Sequence, residues 1–249
     1  VVEGFFGRPF SKPLSRTREY VEVIRRIMAR EEPVSFAGDY YQLPYTGPNA
    51  TGLGKPLKTI LHPVRPQQPI FIAAEGPKNV AMTAEIADGW TAFYISPHSD
   101  SFYRARLEEG FAKRPGGRPA DFEVVGQIHF AVGDDVETAA DPVRQQIAFM
   151  VGGMGAPGTN FHYDAMARVG FEAECARIHK LWAEGDRKAA AAAVPLKMVE
   201  SVALVGPFDK IRSDLADWRA TCVTTLLPMV TGVPVDVAFV RRLADIVLR

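Results

Sequence analysis

Pro69-Ile70-Phe71-Ile72-Ala73-Ala74-Glu75-Gly76-Pro77-Lys78-Asn79 is the stretch on which the reading of the fold turns. Its apolar run, 70–74, is short, continuous and bounded by Pro69 and by Gly76-Pro77. Such a run suits a strand of a parallel sheet buried on both faces. Pro77 fits the first position of a helix, which the pattern carries to about Ala87. A strand that ends in small residues and feeds straight into a helix lets a ligand approach the backbone. The unpaired amides of the first helical turn then attract an anion such as phosphate. Ala73, Ala74, Glu75 and Gly76 are therefore candidate binding residues. Equally open is a plain Gly-Pro helix entry, as at Gly206-Pro207. Glu75 counts against phosphate unless its side chain turns away or meets a cation.

Outward from this unit the same rhythm repeats. Strands are expected at 90–95, 122–132 and 223–229. Helices are expected from a Ser99 or Asp100 cap to about Lys113, over 137–150, after Gly206-Pro207 with Ile211, Leu215 and Trp218 on one face, and over 237–248. Upstream, Tyr20, Val23, Ile24, Ile27 and Met28 mark a helix over 17–30 with Ser15 as its N-cap. Two segments break the rhythm. The first, 33–69, is rich in Pro and Gly, with a strand-like piece at 39–43, and is long for a connection. The second, 151–200, opens with a glycine loop over 151–170 that should be mobile or tightly turned. A helix over 172–184 and an alanine run at 189–193 follow. Strand and helix in alternation imply an α/β domain, 1–249, with a parallel sheet and right-handed crossovers. A flavodoxin-like or Rossmann sheet stays possible; the insertions and the terminal strand–helix pair favour a barrel.

The composition is that of an ordinary globular chain. With 249 residues, 47% hydrophobic, and 29 basic against 29 acidic side chains, it offers no electrostatic footprint for nucleic acid or an anionic membrane. It has no apolar run of membrane-spanning length and no signal-peptide pattern. Cys175 and Cys222 have no metal-ligand spacing and point to a reducing cytoplasm. Zinc, Walker, dinucleotide and nucleophile-elbow signatures are missing, so no metal is expected. Gly52-Leu53-Gly54-Lys55 lacks the strand, helix and Ser or Thr of a phosphate loop.

Within 122–132, Val124, Gly126, Ile128, Phe130 and Val132 alternate with Val125, Gln127, His129 and Ala131. The more apolar set should pack on helices. Gln127 and His129 would then face the lumen, either as substrate contacts or as a hydrogen-bonded pair filling a barrel layer. No catalytic acid or base stands out.

Several stretches resemble one family, the luciferase-like monooxygenases, in their coenzyme F420-dependent oxidoreductase branch. They are Val2-Glu3-Gly4-Phe5-Phe6-Gly7 with Pro9-Phe10, Arg18-Glu19-Tyr20, Gly38-Asp39-Tyr40-Tyr41-Gln42-Leu43 and the opening stretch itself. Ala84-Glu85-Ile86-Ala87-Asp88-Gly89-Trp90 is the most specific, and Gly152-Gly153-Met154-Gly155, Asn160-Phe161, Ala203-Leu204-Val205-Gly206-Pro207 and Thr224-Thr225-Leu226 follow. The resemblance implies a (β/α)8 TIM barrel of which this chain holds strands five to eight. It implies hydride transfer between coenzyme F420 and an organic small molecule, with FMN-dependent monooxygenation as the alternative. Ala73 to Gly76 match backbone positions near the cofactor's phosphate. The proton-transfer residues of relatives belong to the first barrel half and have no counterpart here. Where sugar-phosphate-oxidising relatives carry a Lys after strand six, this chain reads Ser96-Pro97-His98, which argues against a sugar phosphate. Cys222, where the family usually has Gly, and Ala156-Pro157 also depart from the pattern. The chain opens on Val1 with no initiator Met and no leading helix or strand. A fragment is therefore expected, either inert alone or completed by a second copy as a homo-oligomer.

Overall fold

The computed structural model describes residues 2–155 and 158–248, so Ala156-Pro157 lie outside the described residues. In chain order come α1 (Val2–Phe6), α2 (Pro13–Ala29), β1 (Phe36–Ala37), β2 (Gln42–Leu43), β3 (Phe71–Ala73), α3 (Pro77–Ile86) and β4 (Gly89–Phe93). Next are α4 (Asp100–Phe111), β5 (Glu123–Val132), α5 (Val136–Gly153) and α6 (Phe161–Met166), which runs through a π-helical turn into α7 (Glu172–Ala183). The chain ends with α8 (Arg187–Ala192), α9 (Leu196–Val202), β6 (Ala203–Gly206), α10 (Phe208–Arg219), β7 (Thr225–Val230) and α11 (Val237–Val247).

β3, β4, β5, β6 and β7 form one parallel sheet, in which β5 is the hub. β4 pairs with its first half, Gly89 opposite Glu123 to Phe93 opposite Gln127. β6 takes over at His129 opposite Ala203, while β7 runs from Val125 opposite Thr225 to Phe130 opposite Val230. Since His129 and Phe130 pair with both β6 and β7, those two strands lie on opposite edges of β5. The alternation along β5 sorts as expected. Val124, Ile128 and Phe130 join a core with Tyr103, Leu107 and Phe111 of α4, Ile211, Leu215 and Trp218 of α10, and Leu243 and Ile246 of α11. On the opposite face Ala131, with Ala203 and Val205 of β6, enters a second core built by α5 to α9. Two apolar clusters thus cover the sheet, one on each face of β5.

Several elements differ from expectation. α2 begins at Pro13 with Lys12 as N-cap, not at Ser15, because Pro is favoured in the first turn. A short α1 occupies the stretch where no element was expected. The strand-like piece 39–43 is half turn and half strand, since only Gln42 and Leu43 pair with Phe36 and Ala37. β6 adds a strand to the expected four; a four-residue apolar run directly after a helix cannot be told from helix by periodicity. Gly152 and Gly153, read as part of a loop, form the last turn of α5, and the chain from Phe161 is helical up to a kink at Gly170 (φ 104°). Close packing explains the glycines: a Cβ on Gly152 would lie 2.6 Å from Trp182 Cβ.

Candidate functional site

A cavity of about 780 Å³ opens at the C-terminal ends of β3, β4, β5 and β7. Such sheets place ligands there, where helix N-termini and loops converge. Ala73, Ala74, Glu75 and Gly76 all line it, with Lys78 and Asn79 of α3 beyond them. Thr91 and Phe93 of β4, Gln127 of β5 and Met229 of β7 complete the sheet side. Leu14 and Thr17 of α2, Met150 of α5, Met154, and Phe161 and His162 of α6 close the remainder. The wall is mainly apolar, with few polar groups.

The 73–76 turn is held from below. Trp90, fully buried, donates its indole N–H to the Ala74 carbonyl at 2.8 Å and packs 5.0 Å from the Tyr103 ring. In the first turn of α3, Pro77 has no N–H, and the Asn79 and Val80 amides both turn to the Gly76 carbonyl. The Lys78 amide is thus the first-turn donor left for a ligand, with the Lys78 side chain on the same wall. A Cβ on Gly76 would meet only Phe161 Cδ1 at 3.9 Å, so the backbone there can be approached closely.

Glu75 turns away from the helix end. Its Oε1 lies 2.8 Å from His162 Nδ1, with the Glu75 side chain 10% exposed and the His162 side chain 21%. The distance is short, but the pair is not aligned as a hydrogen bond, and Glu75 Oε2 and His162 Nδ1 are buried without one. Behind them stands Tyr94, its ring 5.9 Å from His162 and 4.4 Å from Phe93. Tyr94 has φ 50°, a left-handed conformation that is strained for a bulky residue. Burial, and then the Glu75 charge, pushes the Tyr94 phenol well above its ordinary range, so it stays protonated.

The structure separates the two β5 candidates. Gln127 lines the cavity. His129 lies deeper, 3% exposed, edge-on to Phe93 at 6.2 Å, with neither ring nitrogen hydrogen-bonded. The expected hydrogen-bonded core pair is therefore not formed. Burial pushes the His129 imidazole below its ordinary value and keeps it neutral. No residue of 33–69 is among those lining the cavity, whereas Met154, Phe161 and His162 of the second insertion are. Burial pushes both thiols up to about 12, which leaves Cys175 and Cys222 protonated and without nucleophilic use. Sequence reasoning assigned His162 no role of its own. Its only signal was position, two residues after Asn160, whose side chain accepts from the His162 and Tyr163 amides and so starts α6. Among the described residues no helix is long and apolar enough to cross a membrane.

Residues 1–225 match the model of the family described as luciferase-like monooxygenase. The chain is 44% identical over 229 residues to Rv3520c of Mycobacterium tuberculosis, a protein named for a proposed coenzyme F420-dependent oxidoreductase activity; the match covers 91% of this chain and 66% of the relative. Two solved structures share the fold. One is the coenzyme F420-dependent tetrahydromethanopterin reductase from Methanopyrus kandleri, with a TM-score of 0.67, 22% identity, and 95% and 61% of the two chains covered. The other is an F420-dependent secondary alcohol dehydrogenase in complex with an F420–acetone adduct, with a TM-score of 0.69, 16% identity, and 98% and 66% covered. The chain thus spans just under two thirds of the length of the proteins it matches.

Proposed function

We propose that this chain, which belongs to the luciferase-like monooxygenase family, serves an oxidoreductase that passes a hydride between coenzyme F420 and an organic small molecule held in the cavity. One observation carries the reading: the small-residue turn 73–76 lies on the cavity wall where β3 delivers the N-terminus of α3. The turn fits a phosphate-bearing cofactor. Its backbone is open at Gly76, the Lys78 amide and side chain supply donors, and the Glu75 charge is directed to His162 rather than toward the anion. The 44% identity to Rv3520c supports F420 as the cofactor.

In this reading β3, β4, β5 and β7, in neighbouring order, take the places of barrel strands five to eight, with β6 added at the edge of β5. Bound F420 supplies the hydride chemistry. The protein's part is to orient the ring, with Phe93, Phe161 and Met229 as apolar walls, and to exclude water. Gln127 would touch the substrate from the sheet, while His129 lies behind Phe93. The half-exposed Phe71 and Leu227 on the outer strands support association with a second copy, and the buried free thiols suit a reducing compartment.

Equilibrium titration of the purified chain with F420 and with FMN, read by cofactor fluorescence, tests the assignment. F420 is expected to bind in the micromolar range and more tightly than FMN. Gly76→Asp, which sets a carboxylate beside the phosphate turn, should weaken F420 binding by about tenfold or more without loss of folding. Preferential binding of FMN would move the assignment to a flavin enzyme of the same family.

A further inference from the structure

Resting on that reading, we propose that His162 is the group that exchanges a proton with the substrate's oxygen, that Glu75 is the positioning residue that holds its ring, and that the substrate is an apolar ketone or the matching secondary alcohol. Three observations converge. Glu75 Oε1 and His162 Nδ1 stand 2.8 Å apart in the cavity wall, an ion-pairing distance at which a carboxylate stabilises the charged form of an imidazole. Nδ1 is buried against Glu75 while the residue lines the cavity, which leaves Nε2 as the ring nitrogen for a substrate. The pair is also placed by the fold. Trp90 pins the Ala74 carbonyl immediately before Glu75, and the Asn160 side chain caps α6 two residues before His162.

The chemistry asks for such a group. When a ketone carbon gains a hydride from the reduced deazaflavin, its C=O π pair moves to oxygen, and that oxygen must take a proton. Protonated His162 supplies it from Nε2 and becomes neutral. In the reverse direction the alcohol O–H proton goes to Nε2 while the carbon loses its hydride to the oxidised cofactor. Around this site Phe93, Phe161 and Met229 offer apolar surface and Gln127 a further polar contact, which suits a mainly apolar substrate.

The ionisable groups facing His162 are few. Glu75 comes from the β3–α3 turn, Tyr94 from the end of β4, and Asp164 lies two residues along α6. Lys78 shares the cavity wall, and His129 of β5 touches the far side of the same Phe93. Glu75 is the sole carboxylate among the described residues recorded within ion-pairing distance of the ring.

Histidine side-chain NMR of the free chain tests the pair without any cofactor. Glu75→Gln should move the His162 ring nitrogen signals at a fixed pH; unchanged signals overturn the coupling. The second measurement follows reduction of cyclohexanone by reduced F420 between pH 5 and 9. The rate should fall as pH rises, and that limb should move to lower pH in Glu75→Gln. His162→Asn and His162→Gln, whose amides do not titrate, should each lose about a hundredfold or more with the F420 Kd unchanged. Equal rates in either variant overturn the role of His162. A wild-type chain that binds F420 but reduces no cyclohexanone overturns the ketone assignment. Failure of the wild-type chain to bind F420 would sink the functional reading instead, and the NMR result would still decide the pair.

Discussion

Segments 33–69 and 151–200 both interrupt the strand–helix order of one sheet, yet they treat their apolar residues in opposite ways. In the first, Leu53, Leu57, Ile60, Leu61 and Val64 are exposed, Ile60 to 91%. In the second, Ala165, Met166, Cys175, Ile178, Ala190, Met198 and Val199 are almost wholly buried in a core shared with α5 and β6. The first is held chiefly by polar contacts. The Glu19 carboxylate accepts from the Asp39, Tyr40 and Tyr41 amides, and Arg30 donates to the Thr59 carbonyl. The difference shows what each can contribute. A segment anchored in a shared core can hold a side chain in place, and it is 151–200 that delivers His162 to Glu75.

Matched substitutions would break this contrast most sharply. Ile178→Ala empties a fully buried site in α7 and should cost about 2–5 kcal/mol, read as a lower denaturation midpoint. Ile60→Ala removes the same atoms from an exposed site and should change stability by less than about 0.5 kcal/mol. Comparable losses from both would mean that 33–69 has a core of its own.

A smaller effect is expected at the junction of α5 and α7. Gly152→Ala places its new methyl 2.6 Å from Trp182 Cβ, and such overpacking costs about 1–3 kcal/mol. Thermal unfolding would register it. Full stability in the variant would show that α7 can slide on α5, which would weaken the claim that this insertion holds His162 rigidly.

These contrasts bear on how much could be read in advance. The β3–α3 turn was legible because its signals are local: a short apolar run, small residues, then Gly76-Pro77 at a helix start. Ala73 to Gly76 therefore reached the cavity wall as the sequence implied. The helical run at Ile211, Leu215 and Trp218 was legible for the same reason. By contrast, Gly152 and Gly153 look like loop residues in isolation; their partner, Trp182, is thirty positions away. The Glu75–His162 pair is also non-local, joining two segments that only the packing of α6 over the strand ends brings together. Local chemistry announced where a ligand could sit, and tertiary contact decided which side chains would meet it.

The smallest effect belongs to the polar anchor of 33–69. Burial alone would raise the Glu19 carboxyl, but hydrogen bonds from the amides of Tyr40, Tyr41 and Asp39, with help from the Arg16 charge, bring it below its usual 4.5. Gly38 makes the approach possible, since a Cβ there would collide with Glu19 Oε2. A depressed folded-state pKa means that the anchor is at full strength above 4.5 and is lost as pH falls through the lower folded value. The amide proton shifts of Asp39, Tyr40 and Tyr41 should therefore move together, with one midpoint below 4.5. Glu19→Gln should abolish that common step and speed proteolysis within 33–69, while the unfolding midpoint of the whole chain changes little. If Glu19→Gln instead lowered that midpoint as far as Ile178→Ala does, the hairpin anchor would be part of the global folding unit, and the two insertions would differ in composition but not in kind.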